Sequence, residues 1–149
     1  MNQKKIYLDV CTLCRPFDDQ HMLRIRLETA GYYLIMQAIK DIQYKMMISP
    51  VHAVEIGAIS DVIERTELFA VINNYGEKII SDMIKTRKRG EELHAAGLGV
   101  ADAAHVAFAE VSSDYFVTCD DKLVKKCQKA DVDVEIVTPV EFCVKEDLR

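Results

Sequence analysis

Four short apolar runs constrain this chain more than any other feature: KIYLD at 5–9, YKMMIS at 44–49, YFVT at 115–118 and VEIVT at 134–138. Between them lie longer stretches in which apolar residues recur at helical spacing. Short apolar strands alternating with helices assemble into a parallel sheet with helices on both faces. The expected architecture is therefore one α/β domain over residues 1–149, with a central parallel sheet of four to five short strands. Helices are expected from Asp19 to about Lys40 (with Leu23, Leu27, Leu34 and Ala38 as its apolar stripe), from Pro50 to about Ile59, over 61–72 and 77–95 with NNYG between them, over 101–111 after the loop GLGV, and over DDKLVKKCQKA.

A chain of 149 residues, half of them hydrophobic and 29% charged, is long enough to bury one proper core. No apolar run approaches the ~18 residues of a membrane span, and MNQKKIYLD leads directly into a strand, so a cytoplasmic protein without membrane association is expected. There thiols stay reduced, and an odd number of cysteines, five, argues against a disulfide framework. The net charge of −5 does not mark a nucleic-acid binder by itself. Basic residues nevertheless cluster at Lys85, Arg87, Lys88 and Arg89, and again at Arg15, Arg24 and Arg26.

The functional edge of an open parallel sheet is the carboxyl end of its strands, and acids gather there. Asp9 ends the first run, Asp120 follows the third, Asp102 opens the helix after GLGV, and Glu55 stands on the helix after the second run. Asp120 alone would be an ordinary helix N-cap, and Asp102 an ordinary partner of a helix dipole. Asp9 is harder to explain as structure, because burying even a neutral polar group without a partner costs ~2–7 kcal/mol. Glu55 shares a helical face with Val51, Ala58 and Ile59, which places it on an apolar stripe. No lysine or arginine is near in sequence to Asp9, Glu55 or Asp102, and four carboxylates converging without cations would repel one another and take up protons unless a metal neutralised them. Magnesium or manganese suits such an oxygen-rich set.

Cys11 and Cys14 offer a competing site. A C-x-x-C pair opening a helix can have a lowered thiol pKa and support thiol–disulfide exchange. No second C-x-x-C completes a zinc site, and the redox reading leaves Glu55, Asp102 and Asp120 without a role. His105, three residues after Asp102, and His52, three before Glu55, read either as satisfied core histidines or as metal ligands.

The segments IYLDVCTLCRPFDD, RIRLETA, ISPVHAVEI, GLGVADAAHVAFAE, YFVTCDDKLVKK and VEIVTPVEF together resemble the PIN-domain ribonucleases, among them the VapC-like toxins of type II toxin–antitoxin pairs. They occur in the family's order and span nearly the whole chain. The resemblance implies an RNA-cleaving nuclease with a Mg²⁺- or Mn²⁺-binding acidic pocket, a cognate antitoxin as partner and a homodimer. Carried over by position, the acids are Asp9, Glu55, Asp102 and Asp120, and Thr118 matches the family's threonine, which orients an acid or water. Asp120 rather than Asp121 completes the T-x-D. Cys14 stands where one subgroup often carries Asn. Arg15, Arg87 and Lys88 are candidate phosphate contacts. A PIN scaffold that binds RNA or protein without cutting is a third reading.

Overall fold

The computed structural model describes residues 3–149. Its five strands are β1 (Lys4–Leu8), β2 (Tyr44–Ile48), β3 (Gly76–Lys78), β4 (Tyr115–Val117) and β5 (Glu135–Val137), all parallel, in the order β3-β2-β1-β4-β5. The chain builds outward from β1 to β2 and β3, then returns to lay β4 on the other side of β1. The order of building thus reverses between β1 and β4, and a ligand crevice is expected beyond their carboxyl ends.

Among the described residues eight helices cover the sheet: α1 (Val10–Cys14), α2 (Leu23–Lys40), α3 (Pro50–Gly57), α4 (Val62–Tyr75), α5 (Met83–Ala95), α6 (Val100–Ser112), α7 (Asp121–Lys129) and α8 (Pro139–Lys145). Alternation along β1 divides the core. Ile6 and Leu8 join Ile35, Met36, Leu68 and Phe142 on the face covered by α2, α4 and α8. Tyr7 joins Phe116, Leu93, Val106 and Leu123 on the face covered by α5, α6 and α7. Among the described residues no helix is long and apolar enough to cross a membrane.

The structure differs from the sequence expectations at particular places. Asp9, expected to end the first strand, lies one residue past it and caps α1, a short helix that contains Cys11 and Cys14. The helix expected from Asp19 starts only at Leu23, after a 3-10 turn over Arg15–Phe17. Its expected stripe holds only in the second half: Ala38 is buried and Leu34 packs partly buried against the core, beside buried Tyr32, Ile35, Met36 and Ile39, but Leu23 and Leu27 are 61% and 52% exposed. The first turns of α2 run beside Arg15 and Asp121, where Glu28 and Arg24 form ion pairs, so the inward face there is charged.

A strand, β3, occupies part of the expected 77–95 helix. Gly76 makes it possible, since a Cβ there would lie 2.5 Å from the Ile72 carbonyl oxygen and 2.8 Å from the Ile48 side chain. No side chain fits that crossing without displacement. The final helix α8 was also absent from the sequence expectation. Its N-cap Thr138 accepts a hydrogen bond from the Glu141 N–H, with Pro139 in its first turn.

Candidate functional site

Asp9 and Asp120 flank the crevice between β1 and β4. The Asp9 N–H donates to the Val117 carbonyl at 3.2 Å, which carries the sheet pairing one step past the strand. The Asp9 side chain is 5% exposed and well partnered. Its Oδ1 accepts from the Thr12 N–H at 3.1 Å and from the Thr12 hydroxyl at 2.8 Å, and the Cys11 thiol lies 3.1 and 3.2 Å from its two oxygens. Burial of this carboxylate is thus compensated locally, and Oδ2 has only the weak thiol donor.

Asp120 caps α7 through Oδ1, which accepts from the Lys122 and Leu123 N–H groups at 3.0 and 3.1 Å. Buried Thr118 holds this turn, its Oγ1 accepting from the Asp120 N–H at 3.1 Å. Asp121 points elsewhere and pairs with Arg24 at 2.6 Å, so of the two adjacent aspartates only Asp120 lines the crevice.

Asp102 stands in the first turn of α6 and Glu55 on α3. Glu55 is not set in the apolar stripe that its spacing suggested. The buried face of α3 is formed by His52 and Ile56, Ala58 is exposed, and Glu55 lies half-buried at the rim. There it bonds through Oε1 to His105 Nε2. All four carboxylates line one cavity of about 420 Å³, together with Asp18, Arg15, His105, Cys11 and Cys14. Five acids therefore face a single guanidinium. Arg15 is fixed there by Asp18 at 2.7 Å and by buried Glu28 at 3.1 Å.

The electrostatics follow from this crowding. Burial, and then the neighbouring carboxylates of Asp120, Asp9 and Glu55, push the Asp102 carboxyl above its ordinary range. Glu55 is held below its usual range by the hydrogen bond from His105, against the opposing effect of its partial burial. Among the described residues, no group of three or more His, Cys, Asp or Glu side chains closes on a common point as a metal cage would. The acids line the wall, mutually repelled.

Arg87 and Lys88 are not at this cavity. α5 packs on α6 with Lys85, Arg87 and Lys88 outward, while Arg89 turns in to pair with Glu110 of α6 at 2.7 Å; Arg87 pairs with Glu91 at 3.4 Å beside a separate groove of about 630 Å³. That groove is larger but mainly apolar, lined by Met83, Ile84, Val100 and Phe108, and none of the four candidate acids lines it.

The thiols oppose the redox reading. Hydrogen bonding to Cys119, burial and the Asp9 carboxylate push the Cys11 thiol far up. Burial and Glu64 push Cys14 up to about 12. A redox pair needs the opposite shift. Both thiols of the native protein are therefore expected to react with a disulfide reagent at pH 7.5 at least ~100-fold more slowly than in the unfolded chain. Stopped-flow thiol titration measures this, and equal rates would restore the pair as a candidate.

Sequence reasoning missed how His105 is used. It lies between Glu55 and the Tyr7 hydroxyl, and Tyr7 in turn meets Ser49. The spacing of DAAH offered a signal, since positions three apart share a helix face, but its partners come from β1 and α3. His52 is a satisfied core histidine: its Nδ1 accepts from the Ser49 N–H at 3.0 Å and its Nε2 bonds the Leu8 carbonyl at 2.7 Å.

Similar architectures occur among solved structures. A chain of FitAB bound to the IR36 DNA fragment matches with a TM-score of 0.57 at 15% identity, over 91% of this chain and 95% of that one. A chain of VapBC2 from Rickettsia felis, bound to a DNA fragment from its promoter, matches at 0.55 and 15%, over 90% and 98%. The chain has a PIN-like fold. A chain of FitAcB from Neisseria gonorrhoeae matches this PIN-like fold at 0.52 and 15%, over 90% and 97%. No protein-family profile and no curated protein sequence matches the chain.

Proposed function

We propose that this protein is a metal-dependent endoribonuclease acting as the toxin of a toxin–antitoxin pair. The observation that supports it most is the cavity at the β1/β4 crevice, where four carboxylates from separate elements meet one guanidinium and raise the proton affinity of Asp102. The PIN-like fold and its likeness to chains of FitAB and VapBC2 support the toxin–antitoxin part, with a cognate antitoxin as partner. A homodimer is the working form we propose with it.

The residues fit a hard divalent cation. Every candidate donor is a carboxylate oxygen, and several oxygens lack a strong protein donor: Asp9 Oδ2, Glu55 Oε2, Asp120 Oδ2 and both oxygens of Asp102. Magnesium uses few direct protein ligands and keeps its waters, so a wall of separated carboxylates suits it better than a closed cage. Asp9, Asp102 and Asp120 would hold Mg²⁺ or Mn²⁺ directly or through water, with Glu55 completing the set. When bound, such an ion stabilises charge on a phosphate and acidifies a coordinated water.

The chain's own residues do the rest. Glu55, tied through Oε1, offers Oε2 as acceptor for a hydrogen bond from the attacking water and so orients it. Thr118 aims Asp120 by holding its N–H. Arg15, immobilised by Glu28 and Asp18, donates to a non-bridging phosphate oxygen of the RNA. Purified protein with Mn²⁺ or Mg²⁺ should cleave RNA, and EDTA should stop it. An Asp9→Asn variant cutting at the wild-type rate would remove this mechanism, and a folded wild-type protein without cleavage would favour the silent scaffold.

A further inference from the structure

A line of buried polar groups runs from the interior to the acidic cavity. Ser49 Oγ and the Tyr7 hydroxyl are 2.7 Å apart, and the same hydroxyl lies 2.5 Å from His105 Nδ1. His105 Nε2 then meets Glu55 Oε1. Ser49, Tyr7 and His105 are 6%, 0% and 2% exposed, so none has water as an alternative partner.

The carboxylate at the end dictates the direction of the line. An ionised Glu55 can only accept, so His105 Nε2 must carry the proton and donate it. In a neutral imidazole Nδ1 then accepts, and the Tyr7 hydroxyl must donate to it. The Tyr7 oxygen is left to accept from Ser49. Ser49 Oγ itself accepts from the Val51 N–H at 3.3 Å at the start of α3, which frees the serine proton for Tyr7. One arrangement satisfies every group, and all its side-chain donors point toward the cavity.

His52 keeps Ser49 and Tyr7 in place. It holds the Ser49 N–H, and its ring lies 4.7 Å from the Tyr7 ring and 5.2 Å from that of His105. α6 thereby carries both Asp102 and, one turn on, the anchor of Glu55.

We propose that Tyr7 and His105 are positioning residues, which fix one oxygen of Glu55 so that the other is presented to the ion and water of the cavity. This rests on the nuclease reading. Neither side chain touches the reacting atoms. Their effect is to restrict a glutamate that would otherwise swing at the rim of a repelling cluster. Partners of this kind typically change metal affinity or activity by ~10–100-fold.

The test compares His105→Ala, His105→Gln and Tyr7→Phe. Gln places an amide N–H near the position of the imidazole Nε2 and needs no tyrosine behind it. Mn²⁺ affinity is measured by titration calorimetry, independently of cleavage, and the ring tautomer of His105 by ¹⁵N NMR of wild type and Tyr7→Phe. The proposal expects the Nε2–H tautomer in the wild type. It also expects a fall of ~10–100-fold in Mn²⁺ affinity for His105→Ala, recovery to within ~3-fold for His105→Gln, and no added loss when Tyr7→Phe is combined with His105→Gln. Cleavage kcat should follow the same pattern while KM for RNA stays within ~2-fold, because the substrate contacts are untouched.

Equal Mn²⁺ affinity in wild type and folded His105→Ala overturns the proposal. So does equal loss in His105→Ala and His105→Gln, which would make the role one of packing. A wild type that binds Mn²⁺ with the expected variant pattern but cuts no RNA would refute the nuclease reading and leave the positioning role standing.

Discussion

Replacing Asp102 with Asn is expected to raise the melting temperature of the metal-free protein and to cost at least ~100-fold in RNA cleavage. The two effects have one cause. Burial and three neighbouring carboxylates raise the proton affinity of Asp102, so the folded state holds its proton more tightly than the unfolded chain. Such a group contributes stability below its unfolded pKa and loses it as pH rises through the folded value. At neutral pH the ionised carboxylate is therefore a net cost to the metal-free fold, and the amide removes it at nearly constant volume. Each kcal/mol recovered is worth ~2–4 °C for a chain of this size. With Mn²⁺ present the sign inverts, because the same carboxylate is a proposed ligand. Metal-assisted charge stabilisation is worth several kcal/mol, and ~2.7 kcal/mol already corresponds to a hundredfold in rate. Thermal melts in EDTA and in Mn²⁺, with single-turnover cleavage of RNA on both proteins, measure all of this. A lower melting temperature in EDTA with an unchanged Mn²⁺ response would make Asp102 a helix-terminus residue and break the proposed cluster.

The second large effect is acid destabilisation through His52. This ring is fully buried, and burial first, then its closeness to the His105 ring, lowers its pKa from 6.5 to about 4. Protonation at Nδ1 would also break the bond from the Ser49 N–H. Between pH 6.5 and about 4 the unfolded state binds the extra proton and the folded state does not, so stability falls as pH falls through that window and levels off below it. The full loss is about 3 kcal/mol, and about 2 kcal/mol of it is expected by pH 5. Carboxylates with lowered pKa values, such as Glu146, lose their contributions only further down, so the upper part of the window isolates the histidine. Asp102, whose pKa is raised, acts with the opposite sign, and the comparison is cleaner in Asp102→Asn. Urea midpoints at pH 7, 6 and 5 should fall in the wild type and fall much less in His52→Gln. Parallel lines for the two proteins would show that His52 is not the sensor.

The two results join in one picture of the site. The acids that line the cavity are proposed to bind an ion, and the histidines behind them are engaged by hydrogen-bonded partners. Arg15 adds a guanidinium to the cavity wall, held in ion pairs by Asp18 and Glu28.

The sequence by itself determined the alternation of strands and helices, and with it the parallel α/β architecture, because the pattern of apolar residues is a local property that survives without tertiary information. It also indicated which carboxylates would stand at the sheet's carboxyl edge, since Asp9 and Asp120 follow their strands within a few residues and Asp102 opens a helix. Tertiary structure decided the rest. β3 depends on Gly76 passing between Ile72 and Ile48, and the approach of Ile48 from a distant strand leaves no periodic trace. Leu23 and Leu27 have helical spacing but face outward, because Arg15 and Asp121 approach the first turns of α2 from distant segments. The C-x-x-C motif promised reactive thiols, yet their pKa values are set by Asp9, Cys119 and Glu64 together with burial, and burial is a property of the packed chain alone. Glu55 gains its partner His105 from a helix fifty residues away, backed by Tyr7 from β1. Hydrophobic pattern is written along the chain, whereas hydrogen-bond partners and electrostatic environments exist only once distant segments meet.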